Sequence, residues 1–324
     1  MNIENKHIPT IEEFNIDLVS KNTIKKFWLK IISDGLGRPI SVPLMVARGY
    51  KDGPTLGLTA AVHGNELNGV SVIQRLFNEI DTSELEGTVL GVPVVNIPSF
   101  HRKKRRFNDG VDLNHIMPGK AQGNVSQVYA YHFFQRFVKH IDFLMDLHTA
   151  SAGRINSYYM RADMDSPVVR KMALLQDADI IVHNPPSDGT LRGAVHAMGI
   201  PALTIEVGNP NTFQKKLIKS GVVGIHNVLS MLKMTTDEVE ESTRKTVICK
   251  RSYWIYTEAG GLLNVVVNLL DIVEKGQVIA VMRDVFGGMI QEYVAPERGI
   301  VIGKSTSPVN RTGGRILHLG IIQE

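Results

Sequence analysis

At 324 residues, with 43% apolar and 21% charged side chains, the chain has the composition of a folded globular protein and the length for two domains. Its net charge of +4 is small for that length, and much of the excess sits in one run, Arg102 to Arg106, without the aromatic interleaving of a nucleic-acid surface. One cysteine, Cys249, excludes an intramolecular disulfide. The acidic start (Glu4, Glu12, Glu13, Asp17) has no signal-peptide core, and Leu262 to Leu270 is too short to span a bilayer, so a cytoplasmic protein is expected.

In chain order, Phe27 to Ser33 and Ile40 to Ala47 read as strands joined at Asp34-Gly35-Leu36-Gly37, an edge hairpin. From Pro54, strand and helix patterns alternate. Strands are expected over Thr55 to Val62, Thr88 to Val95, Phe143 to Leu147, Ile155 to Met160, Ile180 to Val182 and Ala202 to Val207. Helices are expected over Glu66 to Ile80, Ser126 to His140, Pro167 to Gln176, Arg192 to Met198 and Thr212 to Leu232. Apolar strands alternating with helices predict an α/β domain over 1–234, its sheet mostly parallel or mixed and flanked by helices. A polar linker over 235–245 leads into a small all-β domain of barrel-sandwich type over 246–324, with strands at Val247 to Tyr256, Gly261 to Val266, Val278 to Met282, Met289 to Tyr293, Gly299 to Gly303 and Arg315 to Leu319.

Chemistry-bearing residues gather where strands end. His63 is expected to close one strand and Glu66 to open the next helix, and His148 follows the apolar strand Ile141 to Leu147. In an open α/β sheet, ligands collect beyond the carboxyl ends of the strands. Two histidines and one glutamate there make a catalytic rather than structural Zn²⁺ set, because the fourth position stays free. Asp146, two residues before His148, points to the same side and is placed to orient its imidazole. Glu206 lies in the apolar strand Leu203 to Val207, where a carboxylate is costly without a partner or a task. It is either a general base that later returns its proton to a leaving amine, or the partner of a buried arginine such as Arg192. Arg154 and Asn156 follow the His148 strand closely enough to line the pocket.

The motifs HGNE (His63 to Glu66), DLNH (Asp112 to His115), DLHT (Asp146 to Thr149) and TIEVG (Thr204 to Gly208), in this order, resemble the succinylglutamate desuccinylase/aspartoacylase family of zinc carboxypeptidase-like metallohydrolases. The likeness spans roughly Pro54 to Leu232, and the all-β tail resembles that family's C-terminal domain. The resemblance implies one Zn²⁺ per chain on His63, Glu66 and His148, Glu206 as general base and Asn114 at the substrate carboxylate. It also implies an arginine polarising the carbonyl, with Arg106 the first choice and Arg105 the second. The family pattern reads DLNR where this chain has His115, so a weakly basic group stands where a substrate carboxylate is gripped, which argues against a strongly acidic substrate.

The tail also has the strand rhythm of lipoyl- and biotinyl-type barrels, but its turn Arg283 to Gly288 carries no lysine, so it is expected to pack on or shield the site. The resulting expectation is a zinc-dependent amidohydrolase acting on an N-acyl amino acid or similar small amide, with neither nucleic acid nor membrane as partner; a homo-oligomer is compatible with the sequence. The alternatives are a zinc carboxypeptidase acting on short peptides and a non-catalytic metal-dependent binding protein.

Overall fold

The protein is described by a computed structural model covering residues 8–186, 189–239 and 245–323. Part of the N-terminal segment (1–7) and part of the expected linker (240–244) lie outside the described residues. The chain begins with β1 (Thr10–Ile11), β2 (Thr23–Ser33) and β3 (Pro39–Arg48). β2 and β3 form the expected antiparallel hairpin, with the Asp34 carboxylate accepting from the backbone N–H groups of Leu36 and Arg38. The hairpin lies one strand in from the edge, because β1 pairs in parallel outside β2.

Next come β4 (Lys51–Ala60), α1 (Asn68–Glu79), β5 (Glu86–Val92), α2 (Ile97–Arg102), α3 (Val125–Phe137) and β6 (Phe143–His148). They are followed by β7 (Arg154–Asn156), β8 (Tyr158–Ala162), α4 (Pro167–Leu174), β9 (Ile180–His183), α5 (Leu191–His196), β10 (Ala202–Val207) and α6 (Lys215–Met231). The parallel centre is β5-β4-β6-β10, and its strands are apolar because helices cover both faces. The whole sheet is mixed. The single strand expected over Ile155 to Met160 divides at Ser157, whose N–H and hydroxyl both donate to the Ile302 carbonyl. β7 therefore pairs with a C-terminal strand, while β8 runs antiparallel to β10.

The C-terminal region contains β11 (Val247–Tyr256), β12 (Gly261–Val265), β13 (Ile272–Val273), β14 (Val278–Arg283) and β15 (Met289–Val294), then β16 (Gly299–Ser305), β17 (Val309–Asn310) and β18 (Arg315–Ile322). β13 and β17 are too short to show alternation in sequence. β11 joins β9 in parallel and β18 antiparallel, so the large sheet continues into this region. β15-β14-β12-β17 form a separate four-stranded antiparallel sheet, packed over Leu263, Ile279, Met282 and Leu319.

α1 buries Val70, Ile73, Leu76 and Phe77, one face at helical spacing. It approaches the sheet closely at Gly69, where an added Cβ would stand 2.6 Å from the Leu147 Cβ and 3.0 Å from the Ala60 Cβ. Gly69→Ala is expected to lower stability by about 1–3 kcal/mol through overpacking in urea denaturation. Gly35→Ala, at a position with nothing within 4 Å, should stay within about 0.5 kcal/mol of the parent.

Candidate active site

His63 and Glu66 sit on the loop between β4 and α1, rather than at the strand end and helix start that their sequence suggests; α1 begins at Asn68. The loop leaves β4 through Ala61 at φ +48°, and the Asn96 side-chain amide donates to the Val62 carbonyl at 3.0 Å. Gly64 lies so close to the α2 backbone that a Cβ would fall 2.1 Å from the Ser99 carbonyl carbon. The turn is thereby clamped against α2, and both side chains point to the end of β6, where His148 closes the strand.

The three side chains converge. His63 Nδ1 lies 3.0 Å from Glu66 Oε1, His148 Nδ1 lies 3.0 Å from Glu66 Oε2, and the two Nδ1 atoms are 3.3 Å apart. Behind them, His63 Nε2 meets Asp112 Oδ1 at 2.9 Å and His148 Nε2 meets Asp146 Oδ2 at 2.8 Å. Asp146 is fixed in turn by the Thr59 hydroxyl at 2.7 Å. An imidazole that donates from Nε2 to a carboxylate keeps its lone pair on Nδ1. Two such lone pairs and a carboxylate facing one another at these distances repel unless positive charge stands between them. Ligand bonds of about 2.0–2.1 Å in a tetrahedral shell place donor atoms roughly 3.3 Å apart, so the set fits a divalent ion of the zinc type. Burial disfavours charge on His148, but Asp146 and Glu66 outweigh it and raise its pKa well above the usual range, so that without an ion a proton supplies the positive charge that a metal would otherwise bring. Burial likewise pushes Glu66 up, and the two histidines overcome this to hold it far below the carboxylate range.

Glu206, on β10, stands in register with His148 on the parallel neighbour β6. Asn156 Nδ2 donates to its Oε2 at 3.2 Å, and Arg161 Nε lies 3.7 Å from its Oε1. Burial raises the Glu206 pKa, with Arg161 and His148 opposing. The arginine beside Glu206 is Arg161 rather than Arg192, which donates to the Asn184 carbonyl and side-chain oxygens. Arg161 is brought there by the antiparallel return of β8, which the sequence reading had not foreseen.

Within the basic run, Lys103 adopts φ +53° as α2 ends, and the chain then turns Arg105 inward. Its Nε donates to Asp112 Oδ2 at 2.8 Å and its Nη1 to Glu66 Oε1 at 3.0 Å. Arg106, the first choice from the resemblance, is exposed and its guanidinium donates to the Gly110 carbonyl. Asn114 lines the cavity, but its Oδ1 accepts the Leu191 N–H at 2.8 Å and so holds the start of α5. The His115 side chain is 68% exposed, with Nε2 3.8 Å from Asp112.

These groups border two adjoining cavities. The inner one, about 280 Å³, holds the His63, Glu66 and His148 cluster with Asn114 and Arg192. The outer one, about 400 Å³, is lined by Arg154, Asn156, Trp254 and Arg315 among others, and Arg105, Arg161 and Glu206 border both. Trp254 and Arg315 come from β11 and β18, and nothing in their sequence surroundings marks them as site residues. Asp112 does carry a signal in the sequence, since it precedes Asn114 in DLNH as Asp146 precedes His148 in DLHT. Among the described residues, no helix is long and apolar enough to cross a membrane.

The profile described as the succinylglutamate desuccinylase/aspartoacylase catalytic domain matches residues 52–232. An N-alpha-acetyl-L-2,4-diaminobutyric acid deacetylase of Halomonas elongata is 27% identical over 281 residues, covering 82% of this chain and 81% of that protein. A succinylglutamate desuccinylase of Pseudomonas paraeruginosa is 27% identical over 206 residues, 59% of this chain and 60% of its own. The product-bound ectoine utilization protein EutE (DoeB) from Ruegeria pomeroyi shares the fold with a TM-score of 0.85 at 22% identity, covering 94% of this chain and 97% of that one. A succinylglutamate desuccinylase/aspartoacylase from Rhodobacter sphaeroides superposes with a TM-score of 0.83 at 21% identity, over 94% and 98% of the two chains. With the profile spanning more than half of its length, the chain belongs to the succinylglutamate desuccinylase/aspartoacylase family.

Proposed function

We propose that the protein is a zinc-dependent hydrolase that cleaves the amide bond of an N-acyl amino acid, releasing a carboxylic acid and a free amine. The observation that carries this reading is the juxtaposition of the His63, Glu66 and His148 donor set with Glu206, which stands beside His148 on the adjacent parallel strand. The relatives' names support it, since removal of an acetyl group from diaminobutyric acid and of a succinyl group from succinylglutamate are both amide cleavages. A zinc ion held by that set supplies Lewis acidity and makes hydroxide available near neutral pH.

Glu206 takes the proton from the attacking water, and the new C–O bond forms at the acyl carbon. Arg105 donates to the developing oxyanion, a role that falls to it rather than Arg106 because its guanidinium already reaches Glu66. Protonated Glu206 then gives its proton to the nitrogen as the C–N bond breaks. Asn114, His115 and Arg154 line the space around the substrate. Asp112 and Asp146 keep the two imidazoles aimed inward. The α/β part (1–234) carries the chemistry, and the β part after the 235–245 linker walls the outer cavity. A small acyl amino acid suits this space better than a long peptide, which needs an open groove.

Purified protein is expected to hold about one zinc per chain by elemental analysis and to hydrolyse at least one member of an N-acyl amino acid panel. His148→Ala should lose both metal and activity. Glu206→Gln should keep the metal and lose about 10²–10⁴-fold in kcat; retained turnover removes Glu206 from the base role. Arg105→Ala is expected to lower kcat by about 10²–10³-fold, and Arg106→Ala by at least tenfold less, with metal content followed in both. Glu206 must be ionised to act, so the rate falls as pH drops through its pKa. Arg161→Gln removes a cation that lowers this pKa, and the acidic limb of the kcat/KM profile should move to higher pH.

A further inference from the structure

Arg154, on β7, and Arg315, on β18, are far apart in sequence and meet over one indole. Their guanidinium carbons lie 5.3 Å and 5.1 Å from the Trp254 ring centroid. Trp254 is itself stacked on His318, at 5.0 Å between centroids and 11° between planes, and His318 Nε2 is 2.9 Å from the Ser252 hydroxyl. The indole is therefore held in place by its stacked neighbour. All three groups line the outer cavity.

Of the other arginines there, Arg161 faces Glu206 and Arg105 is bonded to Asp112 and Glu66, while Arg106, at the exposed rim, donates to the Gly110 carbonyl. Among the described residues, no carboxylate makes an ion pair with Arg154 or Arg315, and no acceptor takes a hydrogen bond from either guanidinium. Two like charges held on one ring without a directly bonded carboxylate repel each other in the free protein. Burial first, then the charges of Arg315 and Arg105, bring Arg154 down to about 10, against the more distant pull of Glu66 and Glu206. A carboxylate entering the cavity would relieve this, since a guanidinium presents its donors in a fork that matches two carboxylate oxygens.

We propose that Arg154 and Arg315, resting on Trp254, form an anion subsite at the outer end of the cavity. It selects substrates that carry a carboxylate beyond the reacting amide and the amino acid's own α-carboxylate, and disfavours those that carry an ammonium group there. The identity of the rest of the substrate rests on the deacylase reading above. The positive charge that His115 does not supply in DLNH is supplied here from β7 and β18, half of it by the C-terminal region. The extra carboxylate belongs either to the acyl group or to the amino acid side chain, and the two sources share this chemistry.

The test compares kcat and KM for N-acetyl-L-glutamate, N-succinyl-L-alanine, N-acetyl-L-alanine and Nα-acetyl-L-2,4-diaminobutyrate. The proteins are the full-length parent, Arg154→Gln, Arg315→Gln, the double variant and Arg315→Lys. The parent is expected to prefer one of the two dianionic compounds, and which one tells the source of the carboxylate. The double variant should raise KM for that compound about tenfold more than for N-acetyl-L-alanine, with kcat little changed, and Arg315→Lys should retain part of the preference. Calorimetric titration with succinate and glutarate reads the subsite without turnover, and binding should weaken about tenfold in the double variant. If no panel member is hydrolysed while dicarboxylate binding depends on the two arginines, the deacylase reading falls and the subsite stands. Parent preference for the diaminobutyrate compound, or equal effects of the variants on every substrate and on dicarboxylate binding, overturns the subsite.

Discussion

The site depends on an electrostatic arrangement that calls for positive charge among its donors. Two imidazole Nδ1 atoms and both oxygens of Glu66 face each other within 3.3 Å, and the imidazoles cannot turn away because Asp112 and Asp146 hold their outer nitrogens. In so dry a place, with the three residues between 1% and 4% exposed, repulsion among donors is poorly screened. Positive charge between them relieves it. The surrounding fold is organised to keep these donors from separating: Thr59 braces Asp146, Arg105 braces Asp112, and the α2 backbone clamps the loop at Gly64.

The parallel centre of the sheet converts this local constraint into a reaction geometry. β4, β6 and β10 run side by side, so the loop after β4 and the ends of β6 and β10 open on one edge. His148 and Glu206 are register partners, which brings a donor of the cluster and a partly buried carboxylate to the same depth. The antiparallel strand β8 then adds Arg161 from the other side of β10. Its charge opposes the burial that raises the Glu206 pKa, so the sheet's change of direction also tunes the residue that we assign as base.

The C-terminal region is joined to this edge by backbone pairing. β11 extends the large sheet from β9, β16 pairs with β7, and Trp254 and Arg315 are carried to the outer cavity on the same continuous ladder. A wall built on paired strands holds its side chains more firmly than a loop would. The side chains around the cluster and those at the cavity mouth thus come from segments that are distant in sequence and share one sheet.

Much of this was legible in the amino-acid sequence alone. Apolar runs marked β4, β6 and β10, and β10, set off by Pro201 and Gly208, runs over Ala202–Val207 as expected, because a strand covered on both faces is mostly apolar. Residue type and position at strand ends pointed to His63, Glu66, His148 and Glu206, since buried charge is rare unless it has a partner or a task. What the sequence did not carry was pairing. The break at Ser157, the antiparallel course of β8, the turning of Arg105 rather than Arg106 toward Glu66, and the meeting of Arg154 with Arg315 on Trp254 all arise from contacts between segments far apart in the chain. Local pattern reports which face of an element is buried. Only the tertiary structure decides which neighbour it is buried against, and therefore which charges share a cavity.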